Sequence, residues 1–158
     1  AYVETESELY RDLKLKRDTG EITDQTSQAF IDLYEFAKEL GDTVAIGEAK
    51  NANFRLILDA HRGDYQNNPS VFSANVNGLV KIWPAGRPLN NESDNSPVAW
   101  DNEDYVTLKR KFQSLRGVAT GDKEVSFETI ADPENLDQFK SMIDDFVSTC
   151  RRKSTTHS

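Results

Sequence analysis

The sequence has one cysteine and two histidines, and these small numbers exclude several kinds of site. Cys150 has no second cysteine with which to form an internal disulfide. A closed zinc site needs four cysteine or histidine ligands, and the chain supplies only Cys150, His61 and His157. Cys150 also lies on the apolar stripe of the last predicted helix, which is typical of a small buried side chain. We therefore expect no structural zinc, no cofactor and no chemical role for this thiol.

Long hydrophobic runs are also missing. No apolar stretch approaches the roughly 20 residues that span a bilayer, and residues 1–6 are acidic rather than basic and apolar as in a secretory signal. The sequence contains no glycine-rich phosphate loop, no Gly-x-Ser-x-Gly elbow and no His-Glu-x-x-His zinc motif. We therefore expect a cytoplasmic protein that has no membrane contact and none of the common catalytic signatures.

The composition is that of an ordinary folded domain. The 158 residues are 37% hydrophobic and 29% charged, which is enough apolar material for one core. The formal net charge is −8, which repels phosphate groups over the surface as a whole, so a nucleic-acid site would have to be a local basic patch. We predict a single α+β domain over residues 1–153 and a disordered tail over residues 154–158.

Alternating apolar residues between positions 44 and 84 indicate a sheet, and the segments on both sides of this region indicate helices. Strands are predicted at 44–46, 54–58, 71–76 and 79–83, with a further short strand at 125–127. Segments 59–69 and 84–97 are rich in polar residues, glycine and proline and are predicted as loops. The predicted fold class is α+β, with a single antiparallel sheet of about four strands flanked by N-terminal and C-terminal helices.

Helix boundaries are signalled by short polar motifs. Thr5 opens a capping box, Thr23 or Asp24 caps the second helix, and Asp132 precedes a proline that suits the first turn of the last helix. Gly41 follows the second helix, and we predict that it ends that helix in the left-handed conformation.

The pair Asn77-Gly78 predicts a β-hairpin, because both central residues of a type I′ turn need positive φ. A two-residue turn at this position sets the register of the two strands. In that register Leu79 and Lys81 share a face with Phe72. Neither face is wholly polar, so the sequence leaves open which one is exposed.

Basic, amide and aromatic side chains predict a candidate binding surface. Lysine and arginine would hold phosphates, asparagine would contact base edges, and tryptophan would stack on a base. The alternative is that the tryptophan belongs to the core and that the charges only fringe the sheet. The candidate binding residues are Lys50, Asn51, Asn53, Arg55, Lys81, Trp83 and Arg87.

A second pattern, Glu48-Ala49-Lys50, resembles half of a metal-dependent nuclease site. In such a site two carboxylates hold a divalent metal, and the lysine steadies the attacking water or the phosphate. The second carboxylate would have to come from Asp42 or Asp59. The competing interpretation is a plain turn between two strands.

Residues 25–60 resemble small prokaryotic domains of unknown function, some of which are attached to DNA-restriction or nuclease-type proteins. In those domains a helix that ends in a Leu-Gly turn precedes a strand, a lysine-containing turn and a strand that opens with phenylalanine. This chain has Leu40-Gly41 and then Lys50-Asn51-Ala52-Asn53-Phe54, and the likeness extends loosely to residues 136–147. The resemblance implies a DNA-related or defence-related accessory role and identifies no active-site residue.

The sequence therefore supports two functional hypotheses. The first is a non-catalytic recognition or accessory module that binds a protein or a nucleic acid through its sheet face. The second is a magnesium-dependent nuclease that uses Glu48 and Lys50. Homo-oligomerisation through an exposed apolar sheet face is compatible with either.

Overall fold

The computed structural model describes residues 3–41, 43–58, 70–82 and 102–156. Two helices come first, then four strands, then a helix, a fifth strand and two further helices. In chain order the elements are α1 (Glu6–Asp18), α2 (Asp24–Leu40), β1 (Thr43–Ala45), β2 (Asn53–Ile57), β3 (Ser70–Asn75), β4 (Leu79–Ile82), α3 (Asn102–Gln113), β5 (Glu124–Ser126), α4 (Phe127–Ile130) and α5 (Pro133–Thr156).

The strands form one antiparallel sheet in the order β1-β2-β3-β4-β5, so each strand pairs with the next strand along the chain. This confirms the predicted α+β class, with helices from both ends of the chain flanking the sheet. The predicted extra strand at 125–127 is β5, displaced by one residue. Helix α5 continues to Thr156, past the point where the sequence predicts a disordered tail.

The predicted helix starts are confirmed by their hydrogen bonds. Thr5 Oγ1 accepts from the backbone N–H of Glu8 at 3.2 Å, and Thr23 Oγ1 accepts from that of Thr26 at 3.0 Å. The carboxylate of Asp132 accepts from the N–H of Asn135 at 3.1 Å. Each bond satisfies a first-turn donor that has no partner inside its own helix.

Gly41 corrects one of the predictions, because it is not left-handed. Its φ is −84° and its ψ is 162°, which any residue can adopt. A glycine is needed for a different reason: a Cβ at this position would lie 1.9 Å from Leu56 Cδ1. The end of α2 therefore lies directly against the buried side chain of Leu56 in β2.

The hairpin between β3 and β4 corrects a second prediction. Its connection is Val76 to Gly78, since Ala74 pairs with Val80, and neither Asn77 nor Gly78 has positive φ. Instead, Asn75 closes the turn: its side-chain oxygen accepts from the N–H of Asn77 at 3.0 Å, and its carbonyl accepts from Gly78 N at 3.0 Å. A side chain that bonds its own backbone two residues on is the usual alternative to a primed turn.

The longer turn moves β4 by one residue and so exchanges its faces. Val80 and Ile82 are fully buried in the core, whereas Leu79 is 45% exposed and Lys81 is partly exposed. The predicted grouping of Leu79 and Lys81 with Phe72 is therefore wrong. Val76 is buried as well, and its N–H donates to the carbonyl of Ala52 at 3.0 Å.

The core lies between one face of the sheet and the helices α2 and α5. An unbroken series of edge-to-face ring contacts crosses it, with centroid distances between 5.1 and 6.1 Å. Such contacts add to the area that each ring buries. The series runs from α2 through β2 and β3 to α5 and α3: Tyr34, Phe54, Phe72, Phe139 and Phe112.

Two polar contacts hold the C-terminal helices in place. Asn135 is buried, and its amide group bonds the N–H of Arg116 at 3.2 Å, the carbonyl of Arg116 at 2.9 Å and the carbonyl of Thr129 at 3.0 Å. Near the other end of α5, the guanidinium of Arg151 donates to the carbonyl of Leu40, at the end of α2. Cys150 is buried, as the sequence predicts, and it is not part of a disulfide.

Candidate functional site

Within the described parts of the chain, the helices pack on the face of the sheet that carries Phe54 and Phe72, and we call the opposite face the open face. It carries the residues that alternate with the core positions Phe54, Phe72 and Val80. Because successive side chains of a strand point to opposite sides, these positions share one surface. The members of its central cross-strand row are Ala45, Arg55, Ser73, Lys81 and Glu124.

Arg55 and Lys81 are brought together in this row, on either side of Ser73. Neighbouring strands lie about 4.8 Å apart, so the two backbone positions are roughly 10 Å apart. Arg55 and Glu124 are exposed, and Ser73 and Lys81 are partly exposed. The row thus combines two cations with a hydroxyl between them.

Lys50 is exposed on the connection between β1 and β2, beyond the end of the sheet at which β2 begins. This connection is held by the N-terminal segment: Val3 N donates to Ala49 O at 2.6 Å, and Ala49 N donates to Val3 O at 3.4 Å. Asp12 of α1 accepts from Ala52 N at 2.7 Å. Lys50 therefore stands on a fixed turn.

The amides of Asn51 and Asn53 have structural partners. Asn53 Nδ2 donates to the carbonyls of Gly47 at 3.0 Å and Asn51 at 2.8 Å, and its Oδ1 accepts from Gly47 N at 3.0 Å. Asn51 Oδ1 accepts from Asn77 Nδ2 at 3.4 Å, so it joins the turn of the hairpin to the β1–β2 connection. The two side chains shape the end of the sheet, and contacts to base edges would have to compete with these bonds.

Asp12 also forms a largely buried ion pair with Lys16, one turn further along α1. Only 7% of the Lys16 side chain and 12% of the Asp12 side chain are exposed. The carboxylate thus serves two donors, the lysine on its own helix and the peptide of Ala52. This is how a buried charge is usually accommodated, and it ties α1 to the turn that carries Lys50.

The remaining predicted site residues, Trp83 and Arg87, lie outside the described residues, as do Asp42, Asp59 and the loops predicted at 59–69 and 84–97. The nuclease hypothesis therefore stays a prediction. Glu48 and Lys50 are both exposed on the β1–β2 connection. In the part of the chain that the structure describes, no three histidine, cysteine, aspartate or glutamate side chains are grouped to hold a metal ion.

A cluster that the sequence analysis missed joins α1 to α2, away from the open face. Glu6 Oε2 accepts from Tyr34 Oη at 2.7 Å and from Lys38 Nζ at 2.8 Å. The bonds from Lys38 and Tyr34 lower the pKa of Glu6. Burial, followed by the bond to Glu6, raises the pKa of Tyr34. The contacts are internal to the helix pair, and we assign them to stability.

Comparison of the chain with protein-family models, with curated proteins and with solved structures finds no match. The candidate site therefore stands on its own geometry. None of the described helices is both long enough and apolar enough to cross a membrane.

Proposed function

We propose that this protein is a recognition module that binds single-stranded nucleic acid on the open face of its sheet. The observation that carries the proposal is the row in which Arg55 and Lys81 flank Ser73. Although the chain has a net charge of −8, two cations lie in the central row of the open face.

The chemistry of the row suits a phosphate backbone better than a base-pair edge. Arginine and lysine donate charge-assisted hydrogen bonds to phosphate oxygens, and the serine hydroxyl adds a neutral donor between them. An antiparallel sheet also offers a broad surface on which an extended strand can lie, as in several known single-strand binders. Asn75 lies on the same face, two residues beyond Ser73 along β3, and its side-chain oxygen is held by the N–H of Asn77.

The test is a titration of fluorescent oligo-dT, oligo-U and duplex DNA at several salt concentrations. Each phosphate contact to a single strand makes the slope of log affinity against log salt steeper by about 0.7, so two contacts give roughly −1.4. Arg55→Ala/Lys81→Ala should bring the slope close to zero. Loss of two charged hydrogen bonds should also weaken binding by at least about tenfold.

Arg11→Ala/Lys14→Ala is the matched control. It removes the same two residue types from exposed positions of α1, so it changes the net charge equally and leaves the open face intact. Its affinity should stay within about twofold of the wild type. Equal losses in both double variants would mean that only net charge matters, which would contradict a site on the open face.

If the wild type binds none of the three nucleic acids at low salt, the proposal is wrong, and the remaining recognition hypothesis is a protein partner on the same face. Magnesium in the titration also tests the nuclease. Cleavage that is lost in Glu48→Gln would contradict a non-catalytic module. Homo-oligomerisation stays a prediction, although the apolar face proposed for it is covered by α2 and α5.

A further inference from the structure

The central cross-strand row of the open face ends in a glutamate, Glu124. Glu124 belongs to β5, the outermost strand, and it is the direct cross-strand neighbour of Lys81. Side chains that face each other on antiparallel strands have Cβ atoms about 5 Å apart. An exposed glutamate at this position therefore reaches the space in which a phosphate bound by Lys81 would lie.

The charges along the row follow a simple order. Ala45 on β1 is neutral, Arg55 on β2 and Lys81 on β4 are cationic, and Glu124 on β5 is anionic. A phosphate chain that contacts both cations must run across the strands rather than along them. One strand beyond Lys81 it meets a carboxylate.

We infer that Glu124 ends the nucleic-acid binding surface at β5 and lowers the affinity of the open face for nucleic acid, an inference that rests on the proposed function. It acts in two ways. Its carboxylate competes with a ligand phosphate for Lys81, and it repels the next phosphate of a strand that extends past β4. Glu124 thereby limits the ligand to the few nucleotides that span β2 to β4.

The size of the effect follows from the geometry. A carboxylate and a phosphate roughly 6 Å apart at a wet surface repel each other enough to change affinity about three- to tenfold at low salt. The repulsion should weaken as salt is added, because the Debye length falls to about 10 Å at 0.1 M. The affinity for a tetranucleotide that ends at Lys81 should be lowered only by the competition for Lys81. The affinity for a dodecanucleotide should be lowered both by this competition and by the repulsion of the next phosphate.

The experiment compares the wild type, Glu124→Gln and Glu39→Gln in titrations with oligo-dT of four and of twelve nucleotides at low salt. Glu39 is exposed on α2, which packs on the core face, so Glu39→Gln removes one charge of the same kind away from the site. We expect Glu124→Gln to bind the dodecamer about three- to tenfold more tightly, with a smaller gain for the tetramer, and Glu39→Gln to match the wild type. Glu124→Lys should increase affinity further.

Two failures can be told apart. If the wild type binds and Glu124→Gln behaves like Glu39→Gln, the inference about Glu124 is wrong while the proposed function stands. If neither the wild type nor Glu124→Gln binds any oligonucleotide, the proposed function is wrong, and the inference is overturned with it. Both glutamates are exposed, and the urea midpoint of each variant, measured beforehand, reports that the fold is intact.

Discussion

Gly41 offers a sharp test of the packing, because substitution by alanine should create one severe clash. The added Cβ would lie 1.9 Å from Leu56 Cδ1 and 3.1 Å from the carbonyl of Ala37. The backbone of Gly41 is already in a conformation that alanine adopts easily, so no dihedral strain is involved. Leu56 is fully buried, and it can move away only by displacing its neighbours in the core.

Overpacking of this kind costs about 1 to 3 kcal/mol. In a chain of this length, each kcal/mol lowers the midpoint of thermal unfolding by about 2 to 4 °C. Urea denaturation followed by circular dichroism gives the free energy directly. Gly20→Ala is a useful contrast, since no atom lies within 4 Å of its added Cβ but its φ is +78°. Its cost of about 1 kcal/mol should come from the backbone alone.

A double-mutant cycle identifies the contact. Leu56→Ala alone should cost about 2 to 5 kcal/mol through the cavity that it leaves. In that background the clash with Cδ1 is gone and only the 3.1 Å approach to the carbonyl of Ala37 remains, so the second substitution should cost much less, and the coupling energy should be about 1 to 3 kcal/mol. Equal costs of Gly41→Ala in both backgrounds, or no cost in the wild type, would refute the steric explanation.

Three further predictions concern stability. The hydrogen bond from Lys38 lowers the pKa of Glu6 below its ordinary value of 4.5, so the stabilisation is complete above that value and is lost as pH falls through the lower pKa of the folded state. Urea midpoints of wild type and Glu6→Gln should therefore converge below about pH 4.5, and parallel profiles would contradict this. Asn135→Ala removes three hydrogen bonds of a buried amide to partly buried peptide groups and should cost about 2 to 4 kcal/mol in urea, with an unchanged m-value; a loss below 1 kcal/mol would show that water replaces the amide. Thr23→Ala removes the cap on the N–H of Thr26 and should cost about 1 kcal/mol, whereas Thr23→Ser should restore most of it in thermal melts.

The helices and strands were largely predictable because their signals are local. Thr5, Thr23 and Asp132 act through bonds to residues three positions away, and a short window of sequence contains both partners. The strands followed from apolar alternation for the same reason. The sequence also marks Gly41 as the end of α2, but it does not show why a glycine is needed there. The contact with Leu56 lies 15 positions further along the chain and depends on how β2 packs.

The register of the hairpin could not be derived from the turn residues alone. Asn77-Gly78 favours a two-residue turn, but Asn75 supplies a competing side-chain bond. Packing of the core selects the register with the longer loop, since that register pairs Val80 with Ala74 in the interior. The alternation of Val80 and Ile82 with charged Lys81 was the available signal, and it outweighs the preference of the turn.

The candidate site depended on that register. Arg55 and Lys81 were both selected from the sequence, yet their shared row with Ser73 and Glu124 appears only when the strands are aligned as observed. The sequence also could not show that Asn53 bonds Gly47 on the neighbouring connection, because that bond follows from the shape of the turn.

The contact of α5 with the sheet has a consequence for biosynthesis. Phe72 of the sheet packs on Phe139, and Arg151 reaches the end of α2, so the last helix completes a core whose other walls are made much earlier in the chain. Because a polypeptide emerges from the ribosome N-terminus first, α2 and the strands leave the exit tunnel before α5 does. Until α5 emerges, only α2 of these two helices can pack on the sheet, so we expect the nascent chain to expose apolar residues such as Phe72 and to bind chaperones during that interval.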